Sequence, residues 1–163
     1  MVVLIVLAAA VAALAVVLVA NAVRLKPTPV PDPLPPADET GDAAAVERFR
    51  EMLRCPTVWG LHDPEADRSS FDGFVPLLRR LYPRVFDELE LELVDGYGIS
   101  LLWKGADRDL APVVFMAHHD VVGAEASEWA HDPFAADIAD GAVYARGAVD
   151  TKCIWAGLLE AAE

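Results

Sequence analysis

The chain opens on an unbroken apolar run, for Met1 to Ala20 contain no charged residue and no Gly, Pro, Ser or Thr. A helix rising ~1.5 Å per residue needs about 20 such residues to cross the ~30 Å hydrocarbon core of a bilayer. The run is apolar all round, so it lacks the polar face that a helix on the surface of a folded domain turns to water. Residues 1–23 therefore read as a transmembrane anchor, a single pass. Ala20-Asn21-Ala22 has the small-x-small form accepted by a signal peptidase, but no Lys or Arg precedes the run, where a secretory signal carries its charge. A retained anchor is the favoured reading. Arg24 and Lys26 follow it, and two charges do not fix which side of the membrane the body faces.

After the anchor the pattern changes abruptly. Pro27, Pro29, Pro31, Pro33, Pro35 and Pro36 alternate with small or polar residues, so residues 24–40 read as an extended linker advancing ~3.1 Å per residue. The body, residues 41–163, begins with Asp42 as N-cap of a helix carrying Val46, Phe49, Met52 and Leu53 on one side and ending before Pro56. A second helix is predicted over 71–81, with Phe74, Leu77, Leu78 and Leu81 on one face and Gly73 and Pro76 as weak points.

The period then shifts from helical to alternating. Leu89-Glu90-Leu91-Glu92-Leu93-Val94 reads as a strand with one wet face, and Asp95-Gly96 turns it towards a partner over 99–103. Pro112-Val113-Val114-Phe115-Met116-Ala117 has no polar face and is expected to be a central strand, buried on both sides. Asp140-Gly141 marks a second hairpin within 138–145, and Ile154, Trp155, Leu158 and Leu159 mark a last helix. This order predicts an α/β fold with a mostly parallel central sheet whose later strands lie outside the chain.

Charge narrows the function. All 13 basic and 26 acidic residues follow the anchor, so the net charge of −13 belongs to the rest of the chain. Such a surface repels phosphate backbones and argues against nucleic-acid binding. Cys55 and Cys153 form neither a metal-binding CxxC pair nor a disulfide framework.

Candidate chemistry gathers near the C-terminus. His118 and Asp120 stand at the end of the predicted buried strand, where open α/β sheets place their ligands, and an i, i+2 pair shares a face. Imidazole could then hold a metal while Asp120 orients the ring; the plainer alternative is a hydrogen-bonded histidine at a strand end. His119 points the other way. Asp150 follows Arg146-Gly147 and precedes a helix start, which suits either an N-cap or a metal-binding carboxylate. A carboxylate can bridge two cations ~3.5–4 Å apart, as in dinuclear hydrolases, so His118 and Asp150 could share an ion. Surface positions are expected for Lys152, Glu125, Glu128 and His131, an exposed loop for His62, and core packing for Trp129, Phe134 and Tyr144.

Together, Ala117-His118-His119-Asp120-Val121-Val122, Trp129, Asp132-Pro133-Phe134, Asp140-Gly141, Tyr144, Arg146-Gly147 and Asp150-Thr151-Lys152 resemble the N-terminal catalytic segment of the M20 metallopeptidases. Leu53-Arg54-Cys55-Pro56-Thr57-Val58 resembles that family's early helix-to-loop segment, and the anchor, the linker and the expected Val114-to-Ala117 strand together resemble its carboxypeptidase S and N-acyl-amino-acid hydrolase branch. The resemblance implies a zinc enzyme, with two ions, that hydrolyses a peptide or N-acyl amide bond next to a free carboxylate. It implies that His118 is a ligand of one zinc, that Asp150 bridges both, and that Asp120 supports catalysis by orienting His118. It also implies a cis peptide bond between Asp150 and Thr151.

Gly123, Ala145 and Cys153 depart from common family residues without removing a metal-binding group. The family's paired glutamates, further acidic ligand and distant histidine would lie after Glu163, so this chain alone is expected to be inactive. The substrate and the oligomeric state are not legible. Two other readings stay open: a non-catalytic membrane-tethered binding module, and an acidic surface protein in which His118 and Asp150 are structural.

Overall fold

The computed structural model describes residues 1–26, 42–60 and 68–163. Two compact units divide the chain, Met1–Glu39 and Thr40–Glu163. In the first, helix α1 spans Val2–Arg24 with no buried residue, and it is long and apolar enough to cross a membrane. That length and composition also suit a signal sequence near an N-terminus. The proline-rich spacer and His62 fall outside the described residues.

The second unit begins with α2, Ala43–Arg54. The Asp42 carboxylate caps it by accepting from the Ala44 amide at 2.8 Å, as its position predicts. Helix α3 runs Phe74–Leu81, shorter than expected, because residues 70–73 form turns before it. Pro76 falls in the first turn of α3, where the missing N–H has no helical acceptor, so it does not break the helix. Pro83 opens a further short helix, α4, over Pro83–Glu88. The last helix, α5, covers Cys153–Ala162.

These helices enclose one core of Met52, Phe74, Leu78, Tyr82, Val85, Phe86, Ala156 and Leu159. Its polar edge is closed by Arg48, which donates to both oxygens of Glu160 at 2.7 and 2.5 Å, while the Tyr82 hydroxyl donates to Glu160 at 2.9 Å. A bidentate, charge-assisted pair ties α2 to α5 more firmly than an exposed ion pair would.

Among the described residues, two antiparallel hairpins account for the strands. β1, Glu90–Val94, pairs with β2, Gly98–Leu102, setting Leu91 opposite Leu101 and Leu93 opposite Ile99. Leu91, Ile99 and Leu101 pack on the helical core, which leaves the glutamates wet. β3, Asp137–Ala139, pairs with β4, Ala142–Tyr144, through Asp140-Gly141, both at positive φ as a tight two-residue hairpin turn requires.

The expected central strand at 112–117 is a correction. These residues join no ladder, and Val113, Val114, Phe115 and Met116 are 77%, 73%, 71% and 83% exposed. A strand buried on both sides needs neighbours on both edges and both faces, and both described ladders are hairpins closed on themselves. The mostly parallel sheet is therefore not seen among the described residues, where the one parallel pairing is an isolated bridge between Val58 and Val121.

Candidate metal centre

Two chain segments meet at the site, one carrying His118 and Asp120 and the other Asp150. The first is pinned at Val121, whose amide donates to the Thr57 carbonyl at 2.8 Å and whose carbonyl accepts from the Trp59 amide at 2.9 Å. The Thr57 hydroxyl, fully buried, donates to the His119 carbonyl. The second segment crosses the first at Gly147. This residue has φ +80°, and a Cβ there would lie 2.6 Å from Val121 Cγ1, so glycine alone satisfies both the backbone and the approach. The chain then kinks at Asp150 and Thr151, the peptide between them being cis, before α5 begins.

This crossing brings the three predicted site residues together. His118 Nε2 lies 2.8 Å from Asp150 Oδ1. His118 Nδ1 lies 2.9 Å from the Asp120 carbonyl and 3.2 Å from Asp120 Oδ1. Both ring nitrogens thus face oxygen acceptors. The hydrogen bond to Asp150 raises the His118 pKa above its ordinary value, against a smaller opposing effect of burial, with Asp120 adding in the same direction. The group opens onto a pocket of about 240 Å³ shared with Arg146 and Val149.

The donor set fits part of a zinc site. An imidazole nitrogen and a carboxylate oxygen converge on one point, and the far ring nitrogen is occupied by Asp120, the usual second partner of a metal-binding histidine. Among the described residues no group of three or more His, Cys, Asp or Glu side chains is gathered for a metal. Such an ion takes roughly four ligands, and His118 and Asp150 offer two groups of the kinds it uses.

Other candidates lie elsewhere. His119 turns away from the crevice, stacking on Phe74 at 4.8 Å between ring centroids with its Nε2 3.1 Å from the Tyr97 carbonyl. Burial lowers its pKa. His131 stacks on Tyr144 and lies 3.4 Å from Asp137 Oδ2, while Trp129 lies under the Arg146 guanidinium at 4.9 Å.

Lys152 overturns the expectation of a surface position, because it is completely buried. Its ammonium donates to the carbonyls of Met52 at 3.0 Å and Cys55 at 2.7 Å and lies 5.3 Å from the centre of the Phe74 ring. The carbonyls at the end of α2 lack helical partners and carry the negative end of the helix dipole, which is why a cation is held there. Burial pushes its pKa down to about 8. A clue was present in the sequence: a lysine at the start of a helix sits at the unfavourable end of that helix's dipole, so it gains from a partner elsewhere.

The segment that carries this crevice matches known proteins. Residues 114–163 match the model of peptidase family M20/M25/M40. An uncharacterized carboxypeptidase of Schizosaccharomyces pombe is 40% identical over 123 residues, covering 71% of this chain and 21% of that protein. An N-fatty-acyl-amino acid synthase/hydrolase of Danio rerio is 36% identical over 121 residues, covering 72% of this chain and 23% of the relative. Aminoacylase-1 of Sus scrofa is 35% identical over 123 residues, covering 74% and 29%. The chain thus spans between a fifth and a third of the length of these relatives. With the His118–Asp120–Asp150 crevice inside the matched segment, the chain belongs to the M20 peptidase family, on its carboxypeptidase and acylase side, a family of hydrolases.

Proposed function

We propose that the protein is a membrane-anchored, zinc-dependent hydrolase that cleaves a peptide or N-acyl amide bond next to a free carboxylate. The observation that carries this reading is the 2.8 Å meeting of His118 Nε2 and Asp150 Oδ1, with Asp120 backing the other ring nitrogen. The names of the relatives, a carboxypeptidase, an N-fatty-acyl-amino acid hydrolase and an aminoacylase, supply the substrate class. His118 and Asp150 would hold the metal, Asp150 having the second oxygen needed to reach a second ion. Bound zinc supplies Lewis acidity, polarising a carbonyl and acidifying water. Asp120 keeps the His118 ring turned so that Nε2 faces the crevice. The alternative of a non-catalytic tethered module has no feature of the site in its favour.

The same proposal covers organisation: residues 1–23 as a single-pass anchor, 24–40 as a spacer and 41–163 as part of the catalytic domain. The exposed, apolar length of α1, uncharged up to Arg24 at its end, supports it. Purified full-length protein should contain zinc and hydrolyse N-acyl amino acids or dipeptides. His118→Ala and Asp150→Ala should each lose both metal and turnover, whereas Asp120→Asn should retain most metal and lose turnover. Wild-type turnover in His118→Ala would overturn the site. Recovery of the intact, uncleaved protein in the soluble fraction would overturn the anchor.

A further inference from the structure

We propose that Thr151 is a positioning residue for the metal centre, whose hydroxyl clamps the backbone of His118 and so sets the distance between the His118 and Asp150 side chains. This rests on the reading of those two residues as metal ligands. The Thr151 hydroxyl does two things at once: Oγ1 accepts from the His118 amide at 3.0 Å and donates to the His118 carbonyl at 2.8 Å. Among the described residues nothing else pairs with either backbone group. His118 lies outside every ladder, so its N–H and C=O have no strand partner, and the hydroxyl satisfies both.

The placement matters because Thr151 is the residue next to Asp150. A link from Thr151 to the His118 backbone ties the main chain of one ligand-bearing residue to the residue next to the other, beside the direct 2.8 Å meeting of their side chains. Both sides of that link are anchored. The Lys152 amide donates to the Gly147 carbonyl at 3.0 Å, and its ammonium is tied to the end of α2, so the chain beyond Thr151 is held. On the other side, Val121 is held by Thr57 and Trp59. Between these anchors Thr57 holds the His119 carbonyl, and among the described residues the His118 amide and carbonyl are held by the Thr151 hydroxyl. A β-branched side chain is stiff at χ1, which aims the oxygen without a large entropic cost.

Only a side chain with one donor and one acceptor on a single atom at that reach can make both bonds, which restricts the role to Thr or Ser. Thr151→Val keeps the shape and loses both bonds. The test is zinc affinity of the full-length protein, measured by competition with a chromophoric chelator, beside the melting temperature of the metal-free protein. Removing groups that orient metal ligands costs about 10–100-fold in affinity, and Thr151→Val should fall in that range while Thr151→Ser stays within about threefold of wild type. Should Thr151→Val fail to fold, Thr151→Ala carries the same expectation.

A merely structural role would lower the metal-free melting temperature and leave the zinc affinity of the folded protein unchanged, and that result overturns the proposal. Failure of Thr151→Ser to restore affinity also overturns it. Unchanged affinity in Thr151→Val beside lost affinity in His118→Ala sinks the clamp alone. Unchanged affinity in His118→Ala sinks the ligand reading beneath it.

Discussion

Two stretches of this chain rich in apolar residues have opposite fates. Phe74–Leu81 is buried along one face, with Phe74 and Leu78 inaccessible, whereas Val113 to Met116 stand in solvent although their run contains no polar residue. The difference is the availability of partners. α3 carries its apolar residues at helical spacing, so one face suffices, and α2 and α5 supply the opposing surface. The 112–117 segment needs neighbours on both edges and both faces, and the described residues offer none. An apolar pattern states that burial is favourable. It does not state what does the burying.

Phe74 sharpens the comparison because it serves both the core and the site. Its ring packs among Met52, Leu78 and Leu159, stacks on His119, and lies beneath the Lys152 ammonium. Phe74→Ala should therefore cost about 3–5 kcal/mol in urea unfolding, the range for deleting a buried aromatic side chain. It should also loosen the segment after His119, read as faster amide exchange at Val121. A loss below about 1 kcal/mol would show that α3 is no better packed than 112–117.

Gly147 tests the crossing itself. An alanine there meets both an unfavourable φ of +80° and a Cβ contact of 2.6 Å with Val121. The backbone cost is ~1–2 kcal/mol and the overpacking ~1–3 kcal/mol, so Gly147→Ala should lose about 2–5 kcal/mol. Gly147→Ala with Val121→Ala, which makes room, should recover part of the loss. Simple additivity of the two would mean that the contact is not what fixes the crossing.

How much of this was legible in the sequence follows from the range of the interactions. The Asp42 cap, the Asp95-Gly96 and Asp140-Gly141 turns and helices α2, α3 and α5 are set by neighbours in sequence and stand where their patterns predict, within a few residues, whereas the short helix α4 is not among the predicted elements. His118 and Asp150 were found through their motif, and their approach depends on Gly147 and Val121, whose crossing no local pattern encodes. Lys152 was misplaced for the same reason. Its partners are the carbonyls of Met52 and Cys55, nearly 100 residues away, and a backbone carbonyl leaves no mark in a sequence. Thr151 was invisible as a clamp because its partners too are backbone groups.

Glu160 gives a smaller effect with a defined pH dependence. Hydrogen bonding from Arg48 holds its carboxyl below the ordinary value of 4.5, against a weaker opposing effect of burial, and Tyr82 helps. A carboxyl depressed on folding contributes stability that is present in full above its unfolded pKa and is lost as pH falls through its folded value. Wild type should therefore lose this contribution as pH drops from about 5 towards 3. Glu160→Gln should be less stable than wild type at pH 7 by about 1–3 kcal/mol, the range for a hydrogen bond to a charged group. The two should converge in acid, and a gap that does not change with pH would refute the ion-pair account.

The smallest effect lies in the exposed segment, where the comparison can be broken outright. Phe115 is 71% exposed, so less than a third of its surface leaves water on folding. Full burial of such a side chain is worth ~1.5–3 kcal/mol, and Phe115→Ser in the 163-residue chain should then cost under about 1 kcal/mol. The same substitution should reduce self-association, since contiguous exposed apolar residues without ladder partners invite edge pairing. Sedimentation velocity of wild type and Phe115→Ser, run beside their urea unfolding curves, separates the two consequences. A loss of several kcal/mol would mean that this segment is packed in solution like Phe74, and the contrast between the two apolar stretches would disappear.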